Sequence, residues 1–94
     1  MEKRPKADFN ILVSGFFAEG MIALGMMQNP LTKKTEKNMD HASYVIDMLE
    51  ILREKTSGNL NKEESDGMEQ GIHQLRMIYI AEINKPPGEK KENR

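Results

Sequence analysis

Three carboxylates have a spacing that could support chemistry. Asp47, Glu50 and Glu54 recur at intervals of three and four residues, so a helix would carry them along one edge. Carboxylates arranged in this way could hold a divalent metal or act as an acid and a base. Metal sites in helical bundles usually add Glu-x-x-His pairs from facing helices, and neither His41 nor His73 completes that spacing. We therefore expect a solvated acidic edge, with no metal, no cofactor and no catalytic residue; a small metal-dependent protein or enzyme is the alternative.

The composition limits the classes of protein that the chain can belong to. It has 94 residues and no cysteine, with 37% hydrophobic and 31% charged residues, which describes one small domain with a modest core. The absence of cysteine excludes disulfides and fits a reducing compartment. The net charge is −1, and because both ends are basic, the part between them is acidic. An acidic body does not favour a nucleic-acid partner.

The first apolar segment, residues 9–27, reads FNILVSGFFAEGMIALGMM. Its apolar residues fall on every side of a helical wheel, which predicts a helix that is buried all round. Nineteen residues would span about 28 Å as a helix, so a membrane-associated subunit is an alternative. Glu19 near the centre of the segment disfavours membrane insertion. We predict a soluble helix over residues 8–27, preceded by a flexible basic tail over residues 1–7.

A second helix is predicted over residues 38–57, after a lysine-rich connector that contains Pro30. Its apolar arc covers about two thirds of the circumference, so more than one neighbouring helix must cover it.

The short segment after helix 2 has the residues that end one helix and begin another. Lys55 suits the negative end of the helix dipole, and Gly58 suits a positive φ beyond the last turn. Asn61 and Glu64, on either side of a two-residue gap, resemble a capping box, and Asn59 lies in the turn between. This predicts a third helix over residues 62–84, antiparallel to helix 2, with a disordered tail over residues 85–94.

Arg53 falls inside the apolar arc of helix 2, where a charge needs a partner. Counting outward from the turn places it opposite the start of helix 3. We predict an ion pair from Arg53 to Asp66 or Glu69.

Residues 46–60, IDMLEILREKTSGNL, carry a resemblance to a known family. They are similar to the pattern Ile-Asp-x-Leu-Glu, a further Leu, then Lys-Thr-x-Gly-Asn-Leu of the small bacterial family catalogued as domain of unknown function 1844. Further matches lie at Leu24, Gly25, Asn29, Pro30, Ala42, Leu75, Arg76 and Tyr79. Family members tend to have leucines where this chain has Gly67 and Gly71. The resemblance implies a bacterial cytoplasmic protein and no mechanism.

Self-association is the function that these patterns favour. Helix 1 laid across an antiparallel pair buries about half of its circumference, and an apolar patch left outside usually marks an interface. We therefore expect an all-α bundle in a homo-oligomer, with a two-fold dimer favoured, acting as a non-catalytic interaction module; an unidentified protein partner is left open. The residues expected to supply the interface are Phe9, Leu12, Phe16, Phe17, Met21, Leu24 and Met27.

Overall fold

The computed structural model describes residues 6–85, which fold into three α-helices. They are α1 (Phe9–Ala23), α2 (Met39–Lys55) and α3 (Lys62–Ile83). Each helix packs against both of the others, so the all-α prediction is confirmed. Most of the two predicted tails lies outside the described residues.

Each helix begins at a polar side chain that caps it. Asp8, Asn38 and Asn61 each accept a hydrogen bond from the backbone N–H three residues later. At α3 the cap is reciprocal, because Glu64 Oε1 also accepts from the Asn61 N–H at 3.0 Å. These bonds satisfy N–H groups that have no partner within the helix, which sets where each helix starts.

α1 ends at Ala23, so the predicted end at residue 27 is wrong. Gly25 has φ +81°, and its N–H donates to Ile22 O at 3.0 Å. The Met26 N–H reaches back to Met21 O at 2.9 Å. This is a Schellman ending with a left-handed glycine just past the helix. A side chain at Gly25 would also meet the stem of Lys37, because an added Cβ would lie 2.8 Å from its Cγ.

Ion pairs between helices establish their directions. Near the end of α2, Arg53 bonds to Glu69 in the first half of α3, and Glu50, one turn earlier, pairs with Arg76 further along α3. The two helices are therefore antiparallel. α1 runs in the same general direction as α3, because Asn10 lies beside Gly67 and Phe17 lies beside Gly71. α2 is therefore antiparallel to α1 as well.

The core lies where the three helices meet. At its centre Gly20 of α1 lets Leu75 and Val45 approach, since an added Cβ would lie 2.9 Å from Leu75 Cδ2 and 3.4 Å from Val45 Cγ1. The close approach explains a glycine in the interior of a helix, where it costs about 1 kcal/mol relative to alanine. The buried hydrophobic residues are Val13, Ala23, Leu24, Ala42, Val45, Ile46, Leu49, Met68, Ile72 and Leu75.

Candidate interaction surface

The outward half of α1 is predominantly apolar. Ile11 and Leu12 are each 48% exposed, and Gly15 is exposed one turn further on. Ala18 and Ile22, half-buried, continue the line from Ile11 at intervals of three and four residues. A helix whose solvent side carries such residues has an uncovered apolar stripe in addition to the face that packs on the core.

The residues expected at an interface divide between the core and the surface. Leu12 and Met27 are exposed. Four others are half-buried and pack against the core: Phe9, Phe16, Phe17 and Met21. Most of the aromatic surface of α1 therefore holds the three helices together and is only partly open to a partner.

Leu24 is fully buried, so its place in the expected interface is wrong. It follows Gly20 by four residues and Val13 by eleven, and all three lie on the stripe of α1 that faces α2 and α3. Ile11, which was not among the expected residues, lies on the opposite side. Because the sequence of α1 is apolar on every side, its outward side can be recognised only once the structure shows which residues face the core.

Glu19 is the one charged residue of α1, and it has a partner. Its Oε2 lies 2.7 Å from His41 Nε2 on α2. The His41 ring stacks on Tyr44, with 5.7 Å between the ring centroids. A surface cavity of about 410 Å³ lies beside this pair, between α1 and the connector, and Lys37 also lines it. Lys37 is itself paired with Glu82.

Arg53, near the end of α2, is paired with a carboxylate of α3. Arg53 Nη1 donates to Glu69 Oε1 at 2.9 Å, whereas Asp66 accepts from Lys62 at 3.1 Å on its own helix. Arg53 and Glu69 are both well exposed, so their pair contributes at most about 1 kcal/mol. Gly58 has φ +87° in the turn.

Several residues in and beside this turn end α2 or begin α3. Asn61 and Glu64 form the capping box of α3, and Lys55 lies in the last turn of α2. Asn59 donates its backbone N–H to Thr56 O at 2.9 Å. The end of the segment that carries the clearest family resemblance, residues 56–60, therefore joins two helices, and the rest of that segment belongs to α2.

The acidic residues along the edge of α2 differ in their surroundings. Asp47 and Glu54 are exposed, while Glu50 pairs with Arg76 of α3. Within residues 6–85, no group of three or more histidine or acidic side chains is placed to hold a metal ion. None of the helices in these residues combines the length and the apolar composition needed to cross a membrane.

Glu82 is a buried carboxylate that the sequence did not indicate. Its Oε1 pairs with Lys37 of the connector, and its Oε2 lies 3.0 Å from Lys85 Nζ. The hydrogen bond from Lys37 is the main reason that the pKa of Glu82 lies below its ordinary value, against the opposing effect of burial. Lys37 thereby attaches the connector to the end of α3, whereas Lys85 reaches Glu82 from just beyond the same helix.

A shallow uncharged groove of about 290 Å³ runs between α1 and α3. Gly67 and Gly71 form its α3 side, and an added Cβ at Gly71 would lie 3.6 Å from Phe17. Its remaining lining residues are Asn10, Val13, Ser14, Gln70 and Gln74. Because these two glycines have no side chains, the surface of α3 is recessed beside α1.

Comparison with known proteins identifies the family. The sequence model of the family described as "Domain of unknown function (DUF1844)" matches residues 6–81. Neither the curated proteins nor the solved structures gave a match. The matched segment spans α1 and α2 and nearly all of α3. The chain therefore belongs to the DUF1844 family, whose description assigns no activity.

Proposed function

We propose that this protein is a non-catalytic helical module that associates with a second copy of itself through the outward side of α1. The observation that carries the proposal is the exposure of Ile11, Leu12 and Gly15 on the outward side of a helix that has only one charged residue. Surface helices normally turn a polar side to water. A contiguous apolar patch on a small protein usually marks an interaction site.

The single charge of α1 is compatible with such a contact. Glu19 is bonded to His41, so bringing this region towards a partner does not leave an unpaired carboxylate. Gly15 and Ala18 are small, which lets a second helix approach α1 closely. A two-fold dimer is the commonest closed arrangement, and in it α1 meets its own copy.

Sedimentation equilibrium at micromolar concentration, without detergent, tests the proposal. We expect a dimer for the natural chain and a monomer for Ile11→Lys, because a lysine in the contact must be desolvated. Ile80→Lys is the matched control: Ile80 is 49% exposed, close to the 48% of Ile11, but it lies on α3. The control should remain a dimer. A natural chain that is monomeric and well folded throughout the concentration range would contradict the proposal.

A further inference from the structure

Exposed apolar residues also lie on α2. On α2, Tyr44 is 55% exposed and Ile51 is 51% exposed, with the half-buried Met48 between them. Their spacing of four and then three residues places all three within an arc of about 60° on the helix. This is the pattern by which one helix presents an apolar stripe to another.

The α2 stripe lies on the side of that helix next to α1. His41, one turn before Tyr44, bonds to Glu19 of α1 and stacks on the Tyr44 ring. The acidic residues of α2 continue round the helix in the other direction, away from α1: Asp40, Asp47 and Glu54. The apolar stripe is therefore between α1 and the acidic edge.

The helix register aligns the exposed residues of the two helices. Leu12 precedes Glu19 by seven residues, and Met48 follows His41 by seven residues. Seven residues are about 10.5 Å along a helix, so in antiparallel helices Leu12 and Met48 stand within about one turn of the same level. We call the resulting surface the α1–α2 face. Its residues are Ile11, Leu12, Gly15, Tyr44, Met48 and Ile51.

We infer that the α1–α2 face is the self-association surface, and that its occupant is the same face of a second copy, which gives a layer of four helices. The inference rests on the proposed function and specifies the partner surface. A stable interface uses about 800 Å² and 20–30 residues on each side. α1 has 15 residues and only its outer half is open, so it supplies too little alone. Adding the α2 stripe extends the apolar surface across two helices.

The chemistry of the face fits a copy of itself better than a charged partner. None of its six residues is charged, and the charge nearest to them on the same arc of α2 is Lys55, at the end of the helix. The face combines large side chains with Gly15. In a two-fold contact, a large side chain of one copy can therefore pack over the glycine of the other. Met48 adapts its shape readily at such a contact. The acidic edge of α2 stays at the rim, in water.

The dissociation constant of the natural dimer and its variants, from sedimentation equilibrium of the full chain, tests this inference. Ile51→Lys should raise the dissociation constant by about tenfold or more, as at a buried interface position. Met77→Lys is the control, since Met77 is 56% exposed on α3, and should change it by less than about twofold. Ile51→Ala, a milder change, should also weaken the dimer, and it decides the test if a thermal melt shows that Ile51→Lys does not fold.

The result can separate the two proposals. If Ile11→Lys dissociates the dimer but both Ile51 variants leave the dissociation constant unchanged, the contact is confined to α1; the proposed function stands and the α1–α2 face is wrong. A monomeric natural chain would contradict both the proposed function and the α1–α2 face.

Spin-label distances give an independent readout, because the natural chain has no cysteine. Single labels at Asp47→Cys, beside the α1–α2 face, should lie closer across the dimer than labels at Gln74→Cys on α3. The reverse order would overturn the inference.

Discussion

Glu82 is the one charged residue among the buried side chains of residues 6–85. It joins two parts of the chain that are 45 residues apart in sequence, since it accepts from Lys37. A carboxylate taken out of water needs such partners, and removing one member of a buried pair leaves the others unsatisfied. Its role in the described structure is to anchor the connector to the last turn of α3.

Glu82→Gln should lower the free energy of unfolding at pH 7 by about 1–3 kcal/mol, because two ammonium groups lose their counter-charge. The pKa of Glu82 is below its ordinary value of 4.5 in the folded chain. Its contribution is therefore complete above about pH 4.5 and is lost as the pH falls through the lower, folded pKa. Urea unfolding of both proteins across this range measures the effect.

The matched control for this prediction is Glu54→Gln on the exposed edge of α2. It should change the free energy of unfolding by less than about 0.5 kcal/mol. If Glu82→Gln has the same small effect, or if its deficit does not shrink in acid, the role assigned to Glu82 is wrong.

At the scale of the helices, two glycines of α1 differ in packing: one lies against another helix and the other has open space beside it. An added Cβ at Gly20 would come within 3.0 Å of Leu75, whereas at Gly15 it would meet nothing within 4 Å. Both occupy the interior of the same helix, so alanine brings the same gain in helix propensity to each. The difference between them isolates the packing of α1 on the other helices.

Gly15→Ala should raise the free energy of unfolding by about 1 kcal/mol, the gain in helix propensity. Gly20→Ala receives the same gain but overpacks the core at a cost of about 1–3 kcal/mol, so it should be the less stable by that amount. Chemical denaturation in an Ile11→Lys background keeps self-association out of the comparison. Equal stabilities would mean that Leu75 moves aside freely.

At the scale of the whole molecule, half-exposed apolar residues lie on all three helices and the core is small. A domain of this size gains only a modest margin of stability from its own core. Self-association would add to it, because a partner that binds the folded chain and not the unfolded one stabilises the fold by mass action.

The melting temperature of the natural chain should therefore rise with protein concentration, by about a few degrees for each tenfold increase. The Ile11→Lys variant should melt at a temperature independent of concentration and lower than that of the natural chain. Differential scanning calorimetry over two decades of concentration provides the measurement. A natural chain whose melting temperature stays constant would argue against a dimer.

The sequence by itself indicates the number of helices, their approximate bounds and the turn between α2 and α3. These features depend on groups a few residues apart. Asn61 and Glu64 cap α3 through bonds that span three residues, and the periodicity of α2 identifies its apolar arc without reference to any other helix. Arg53 could be assigned a partner on α3 because a short turn leaves little freedom of register.

Only the tertiary structure decides which side of α1 faces out. A helix that is apolar all round has no periodicity to read, so its orientation depends on where Gly20 allows Leu75 to approach. The left-handed Gly25 that ends α1 lies against the Lys37 stem, and Lys37 reaches Glu82. Such contacts join residues that are distant in sequence, and they exist only once the helices have packed. The α1–α2 face is of the same kind, since neither helix alone shows that Leu12 and Met48 lie near each other along the two helices.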